Sequence, residues 1–194
     1  MRSRQSYQAG FSLVEVLVTT VIFSIGILGV TGLNAFSKRA GFDAVQRSTA
    51  AEFAFALLEE MRYNSTAINV YLAAATIGRG SLGAAPLPSC DAVLAPCTPA
   101  QLAAESLWDL EQALDTGFET VGPVGTGGLV MPTACISGPA LPGAGIYTVT
   151  VVWRGVTELS DPAINDCGAA TGLYGDDNAF RRMVVIQTYI DPSI

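Results

Sequence analysis

The chain has 194 residues, half of them apolar, and a net charge of −7 from 10 basic and 17 acidic side chains. This length allows one membrane helix and one modest globular domain, and the acidic balance argues against a protein that binds nucleic acid through its phosphates. Histidine is absent, so the most common general base and metal ligand cannot contribute to any active site.

The N-terminal region is a short polar leader followed by a long apolar run. The leader carries Arg2 and Arg4, and the run from Phe11 to Val30 contains one charge, Glu15. A run of this length predicts a membrane-spanning helix, over about residues 11–33. Because a carboxylate inside such a helix costs on the order of 3 kcal/mol, Glu15 indicates a function.

Two simpler interpretations of this region compete. A cleavable signal peptide has a shorter apolar stretch with a small-residue cleavage site after it, and neither is found here. A plain signal anchor explains the hydrophobicity, but it does not explain why Gly10 precedes Phe11 or where Glu15 lies.

The helix is predicted to continue beyond the membrane, as one element from about residue 11 to residue 62, with its second half packed under a globular domain. Proline does not occur before Pro86. Residues near helical spacing support this continuation. They are Phe36, Ala40, Ala44, Ala51, Phe55, Leu58 and Arg62.

After Asn64 the composition changes to Ala, Gly, Pro and Ser, and residues 78–99 are predicted to be an irregular loop. A helix over about 99–115 follows. Thr98 suits its N-cap, Pro99 its first position and Gln101 the capping box, and Trp108 is predicted to be a packing residue.

The C-terminal part predicts a small antiparallel sheet. Residues 121–145 carry seven glycines and four prolines and are predicted to be a loop. Residues 146–153 and 183–190 are rich in β-branched and aromatic side chains and predict two strands. The segment between these strands is predicted to be a long connection.

Four cysteines follow the apolar run: Cys90, Cys97, Cys135 and Cys167. An even number in an exported domain favours two disulfides, although three pairings are possible. A zinc site would need all four thiolates, and the close C-x-x-C pairs typical of zinc sites are missing. The loop lengths predict Cys90 with Cys97 and Cys135 with Cys167, and crossed pairings stay open.

The hexapeptide Gly10-Phe11-Ser12-Leu13-Val14-Glu15, with its leader and apolar run, resembles the processing motif of type IV pilins and pseudopilins. Within that family the chain resembles the minor pilins called type IV pilus modification proteins (PilV-like). Short stretches carry this second resemblance, namely 24–33, 60–64, 97–103, 147–153, 167–168 and 181–182.

The resemblance implies an α+β type IV pilin fold, in which a long N-terminal helix packs on a small antiparallel sheet beside an irregular αβ-loop with a short helix. It implies a leader over 1–10, an N-terminal helix over 11–63 and an exported head over 64–194. A prepilin peptidase would cut between Gly10 and Phe11 and methylate Phe11. Glu15 would then pair with the terminal amine of a neighbouring subunit during assembly.

The implied function is that of a minor pilin, a structural and assembly-priming subunit of the type IV pilus that contributes to twitching motility and adhesion. Its partners would be the peptidase, other minor pilins, the major pilin, the inner membrane and a tip adhesin, and not nucleic acid. A single-pass inner-membrane protein with a periplasmic head would become part of the pilus at the cell surface. A type II secretion pseudopilin and a membrane-anchored exported binding module are the alternatives.

The residues offer no catalytic site, metal site or cofactor site, so the prediction is a protein that is not an enzyme. Gly125-x-Gly127-Gly128 lacks the Lys-Ser/Thr of a phosphate loop. Asp176, Asp177 and Asn178 lack the ligand spacing of a helix-loop-helix calcium site and predict an exposed turn. Asp109 with Glu111, and Glu59 with Glu60, are predicted to be solvated helix faces.

Overall fold

A computed structural model of the chain describes residues 10–90, 96–116, 120–121, 124–125, 128–161 and 164–193. The chain forms two compact units, one from Met1 to Phe42 and one from Asp43 to Ile194. Three α-helices lie within the described residues: α1 (Leu13–Tyr63), α2 (Ile68–Ala74) and α3 (Pro99–Thr116). The predicted single long N-terminal helix is confirmed.

Of the strands in the described residues, one lies between α2 and α3 and the others follow α3. They are β1 (Thr76–Ile77), β2 (Thr120–Val121), β3 (Val124–Gly125), β4 (Thr133–Ser137), β5 (Gly145–Arg154) and β6 (Arg181–Ile190). Four of them form an antiparallel sheet in the order β1-β4-β5-β6, and β2 pairs with β3 in a separate hairpin. The two predicted strands are confirmed as β5 and β6, which pair directly over ten residues, from Gly145 opposite Ile190 to Arg154 opposite Arg181.

The start of α3 shows the predicted capping box. The Thr98 backbone N–H donates to Gln101 Oε1 at 2.9 Å, and the Gln101 N–H donates back to Thr98 Oγ1 at 3.3 Å. Both groups would otherwise lack helical partners, so this exchange fixes where the helix begins. The Asn64 amide also donates to the Pro99 carbonyl at 2.7 Å and ties the end of α1 to the same point.

The main core lies between one face of the sheet and the helices. Alternate residues of β5 (Tyr147, Val149, Val151 and Trp153) belong to it, as does one stripe of α1. Of the residues near helical spacing, Leu58 is buried and Phe55 is 57% exposed. The buried α1 residues are Gln46, Ala50, Phe53, Ala54, Leu57, Leu58 and Met61.

The connection from β5 to β6 covers the opposite face of the sheet. Val152, Cys167 and Tyr174 form a second, smaller core there, and the Tyr174 hydroxyl donates to Thr133 Oγ1 at 3.0 Å. The predicted alternation of β5 is therefore real, although both of its faces are buried. Thr150, on this second face, is only 3% exposed.

The prediction of a loop throughout residues 121–145 is wrong. β4 lies within it, between Pro132 and Gly138, and pairs with β5 from Thr133 opposite Val152 to Ser137 opposite Thr148. The β2–β3 hairpin also touches this range. Strand β4 has only five residues and takes its hydrogen bonds from its neighbours β1 and β5, so local composition could not reveal it.

The layout is thus α+β and pilin-like: a long apolar N-terminal helix whose second half packs on a small antiparallel sheet, with a short helix in the connecting loop.

Candidate functional site

The processing motif lies at the N-terminal end of α1. Gly10, Phe11 and Ser12 precede the helix, and Phe11 is 85% exposed. The Ser12 carbonyl accepts from the N–H groups of Glu15 at 3.0 Å and Val16 at 3.2 Å, which completes the first turn. The peptide bond between Gly10 and Phe11 therefore lies just outside a regular helix.

The first part of α1 presents apolar side chains on all sides. Its most apolar 18-residue window has a mean hydropathy of 2.3, and none of that window is buried. By length and composition this helix could cross a membrane. The exposed large side chains include Leu17, Ile22, Phe23, Leu28 and Leu33.

The hydroxyl groups of this segment are satisfied within the helix. Thr19 and Thr20 donate to the Val16 carbonyl at 2.9 and 3.0 Å. Ser24 donates to Thr20 O at 2.7 Å, and Thr31 donates to Leu28 O at 2.9 Å. Such bonds let polar side chains tolerate an apolar surrounding, because no water is needed as a partner.

Glu15 differs from these hydroxyls. It lies in the first turn, where a negative charge interacts favourably with the helix dipole. Its carboxylate makes no hydrogen bond or ion pair with any described residue, and with Phe11, Val16 and Thr19 it lines a notch of about 260 Å³. Glu15 is therefore the one polar side chain of residues 13–33 without an intrahelical partner.

All four cysteines of the head are bonded. Cys90 pairs with Cys97 (Cα–Cα 5.5 Å) and Cys135 with Cys167 (Cα–Cα 5.9 Å), which is the pairing that the loop lengths predicted. Glu105 lies near the first pair, and its carboxylate accepts from the Cys90 N–H at 2.6 Å. The second pair joins β4 to the connection that covers the outer face of the sheet.

Arg181 anchors that same connection from the first position of β6. Its side chain is 1% exposed, and it donates to Asp161 Oδ1 at 2.7 Å, to Cys167 O at 2.9 Å and to Asn165 O at 2.7 Å. A buried guanidinium is tolerated only with such a set of acceptors. The nearby Arg154 donates to Leu173 O and stacks over the Phe180 ring, 4.5 Å from its centroid.

Glu111 contradicts the prediction that it lies on a solvated helix face. It is 0% exposed, not part of a solvated face. Ser81 donates to Oε1 through both its N–H and its hydroxyl at 2.6 Å, and the N–H of Gly78 donates to the same oxygen at 3.0 Å. The Leu82 N–H donates to Oε2 at 3.1 Å.

Burial by itself would raise the pKa of the Glu111 carboxyl. The Ser81 hydroxyl and the N–H groups of Leu82, Gly78 and Ser81 outweigh that effect and hold the pKa below its ordinary value. Gly78 is required here because its φ is +135° and a Cβ would lie 2.7 Å from the Pro132 carbonyl oxygen. The cluster holds the turn at 78–82 against α3.

A cavity lies where β5 ends and β6 begins. Asp43, Ala44, Arg47, Trp153, Leu159, Arg182 and Met183 line a cavity of about 440 Å³. Two atoms of its lining residues, Asp43 Oδ1 and Trp153 Nε1, are buried and have no hydrogen-bond partner within the described part of the chain. Nothing in the sequence alone would have brought these residues together.

The remaining predicted positions are surface features. Asp176, Asp177 and Asn178 form a short 3₁₀ turn, with both carboxylates exposed. Glu59 pairs with Arg62 at 3.2 Å on the exposed side of α1. Trp108 packs beside Leu107 and Leu82 along a groove, and its Nε1 donates to Gly83 O at 3.3 Å. Of the glycine-rich segment, Gly127 lies outside the described residues.

Comparison with known proteins identifies one family model. The prokaryotic N-terminal methylation motif matches residues 5–31, which include Gly10, Phe11 and Glu15. No curated protein and no solved structure matches the chain. The motif supports a prepilin family and indicates a type IV pilin-like or pseudopilin protein, with processing by a prepilin peptidase and association with the membrane.

Proposed function

We propose that the chain is a minor pilin, a structural and assembly-priming subunit of the type IV pilus. The observation that carries the proposal is Glu15, an unpaired carboxylate on an apolar helix within a matched N-terminal methylation motif. Prepilin peptidase would remove residues 1–10 and methylate the amine of Phe11. Glu15 then becomes the fifth residue of the mature protein.

The carboxylate acts at the transfer from bilayer to filament. In the bilayer it costs on the order of 3 kcal/mol. In the filament core, the terminal amine of a neighbouring subunit would place a cation near the N-terminal end of the helix, where Glu15 lies. Such a buried pair sets register between subunits more than it adds net stability.

This proposal divides the chain into three segments. Residues 1–10 are the leader, residues 11–63 are the N-terminal helix with a membrane span over about 11–33, and residues 64–194 are the head. Before assembly the protein crosses the inner membrane once, with its head in the periplasm. After assembly the head is displayed on the pilus, at or near the tip.

The partners are other minor pilins, the major pilin and a tip adhesin, and the contribution to twitching motility and adhesion follows from pilus assembly. The assignment to minor pilins rests on the short stretches shared with type IV pilus modification proteins. A type II secretion pseudopilin is the second candidate, since the same motif supports it. Deletion of the gene distinguishes them: surface pili are lost in the first case and secretion of exported enzymes in the second.

Glu15→Val tests the proposal, and Thr19→Val is its matched control. Thr19 lines the same notch, but its hydroxyl already bonds within the helix. We expect both variants to be inserted and processed, and only the Glu15 variant to be missing from sheared filaments. If the Glu15 variant enters filaments at the wild-type ratio, charge pairing does not drive assembly. If deletion leaves both pili and secretion intact, the chain is an anchored binding module.

A further inference from the structure

The outer edge of β6 is an unpaired strand edge. In the sheet order β1-β4-β5-β6 this strand has a neighbour on one side only. Within the described part of the chain, residues 183–189 make no backbone hydrogen bond except those of the β5–β6 ladder. Alternate N–H and C=O groups along about eight residues therefore point away from the protein.

This edge lacks the features by which proteins protect such strands. Residues 183–190 contain no Lys, Asp, Glu, Gly or Pro, and the pairing with β5 runs through ten consecutive residues without a bulge. Val184 and Ile186 pack against the main core but are only partly buried. A long, uncharged and regular edge of this kind is a template for another strand.

The ends of the edge differ in charge. At its start, Arg182 and the exposed Arg47 border the 440 Å³ cavity with one carboxylate, Asp43. Arg47 makes no ion pair with a described residue. After the other end comes Asp191. The start of β6 thus favours an acidic group on the added strand.

The cavity supplies a pocket for one side chain of that strand. Trp153 is 3% exposed, and among the described residues its buried N–H and the buried Asp43 Oδ1 have no hydrogen-bond partner. An unsatisfied buried donor and acceptor each cost free energy. A side-chain amide both donates and accepts, so glutamine or asparagine is the anchor that suits a cavity lined by Asp43 and Trp153.

We propose that the β6 edge binds an extended segment of another protein by strand addition. The segment is uncharged over about six residues, runs antiparallel to β6, and ends in an amide and an acidic residue beside Arg47 and Arg182. Antiparallel pairing is chosen because it is the more stable geometry per residue. This surface is independent of Glu15 and of the apolar part of α1.

The probe is a synthetic acetylated and amidated peptide, Thr-Val-Thr-Val-Thr-Gln-Glu, added to the full chain in detergent micelles. Trp108→Phe makes Trp153 the only tryptophan, so its emission reports the cavity. Carbon-13 labels on the peptide carbonyls report strand formation by infrared spectroscopy. We expect a saturable shift of Trp153 emission together with a β-sheet amide band from the labelled peptide.

Matched double variants separate the edge from the rest of the sheet. Val185→Lys with Gln187→Lys places two charges on the edge strand, whereas Ile146→Lys with Thr148→Lys places them on the same face of the inner strand, since Gln187 pairs with Thr148. Edge lysines disfavour strand addition, so we expect the first variant to bind about tenfold more weakly and the second to bind as the unsubstituted chain does. Thermal unfolding establishes that both are folded.

Three results would overturn the proposal. The first is no emission shift at millimolar peptide, and the second is equal binding by both double variants. The third is a dimer of the chain itself in sedimentation that the edge lysines dissociate, because the occupant would then be a second copy. A peptide with lysine in place of its glutamate should bind more weakly, and equal binding would refute the assigned direction.

Discussion

Replacement of Glu111 by glutamine tests whether one buried carboxylate holds the turn at residues 78–82 against α3. Glutamine keeps the shape but loses the charge, and its amide NH₂ would face an N–H donor of the turn. In the unsubstituted chain, four donors of Gly78, Ser81 and Leu82 bond to the Glu111 carboxylate at 2.6 to 3.1 Å.

The expected loss of stability follows from these contacts. Hydrogen bonds to a charged group contribute about 1.5–3 kcal/mol each and neutral ones about 1, so weakening several of them should cost about 2–4 kcal/mol in total. For a domain of this size the unfolding midpoint should fall by roughly 5–10 °C. Glu52→Gln is the control, because Glu52 is exposed on α1 and should shift the midpoint little.

The pH dependence has a definite sign. The folded pKa of Glu111 lies below its ordinary value of 4.5, so the carboxylate stabilises the fold fully above that value and less as pH falls through the folded pKa. The difference between wild type and Glu111→Gln should therefore be constant from pH 5 to 8 and shrink in more acidic solution. Thermal unfolding can be followed by Trp108, whose N–H donates to Gly83 O beside the turn.

Equal midpoints for wild type and Glu111→Gln at neutral pH would refute this reasoning, since the four donors would then gain nothing from the charge. A difference that grows below pH 4 would refute the sign of the pKa shift.

The other predictions concern processing and disulfides. Gly10→Val should block the peptidase, because a β-branched residue hinders access just before the helix, and mass spectrometry should find the leader still attached. Removal of the Cys135–Cys167 bridge should lower the unfolding midpoint more than removal of Cys90–Cys97. Sequence separations of 32 and 7 correspond to about 3.7 and 2.4 kcal/mol of chain entropy.

A mature terminus at wild-type abundance in Gly10→Val would contradict the processing prediction. For the bridges, serine pairs serve as the variants. A larger loss from the shorter bridge would mean that its anchoring of α3 outweighs loop length.

The long-range elements of the fold were hardest to predict from sequence. The capping box at Thr98 and the strands β5 and β6 carry local signals, and all three are observed where the sequence predicts them. Strand β4 is five residues between Pro132 and Gly138, and its hydrogen bonds come from its neighbours β1 and β5. Composition alone therefore favoured a loop.

The burial of polar residues was also difficult to predict from the sequence. Glu111 follows Leu107 and precedes Leu114 at spacings of four and three, so periodicity places it on the buried stripe of α3. Its charge argued for the surface instead, and only the donors of a turn about thirty residues away resolve the conflict. At this position, helical spacing is a better guide to burial than residue type.

The candidate site was the easier part, because a membrane motif is local in sequence. Gly10, Phe11 and Glu15 stand within six residues, and the apolar run follows directly. The sequence could not show that the four hydroxyls between 13 and 33 bond within the helix. That detail leaves Glu15 as the group that needs a partner.

The central claim is that this chain is processed and then built into a filament. Its most direct test is mass spectrometry of the N-terminal peptide of the chain recovered from sheared and purified filaments. The account predicts a peptide that begins at Phe11 and carries one N-methyl group. Recovery of the chain only from the membrane fraction, with residues 1–10 still attached, would contradict it.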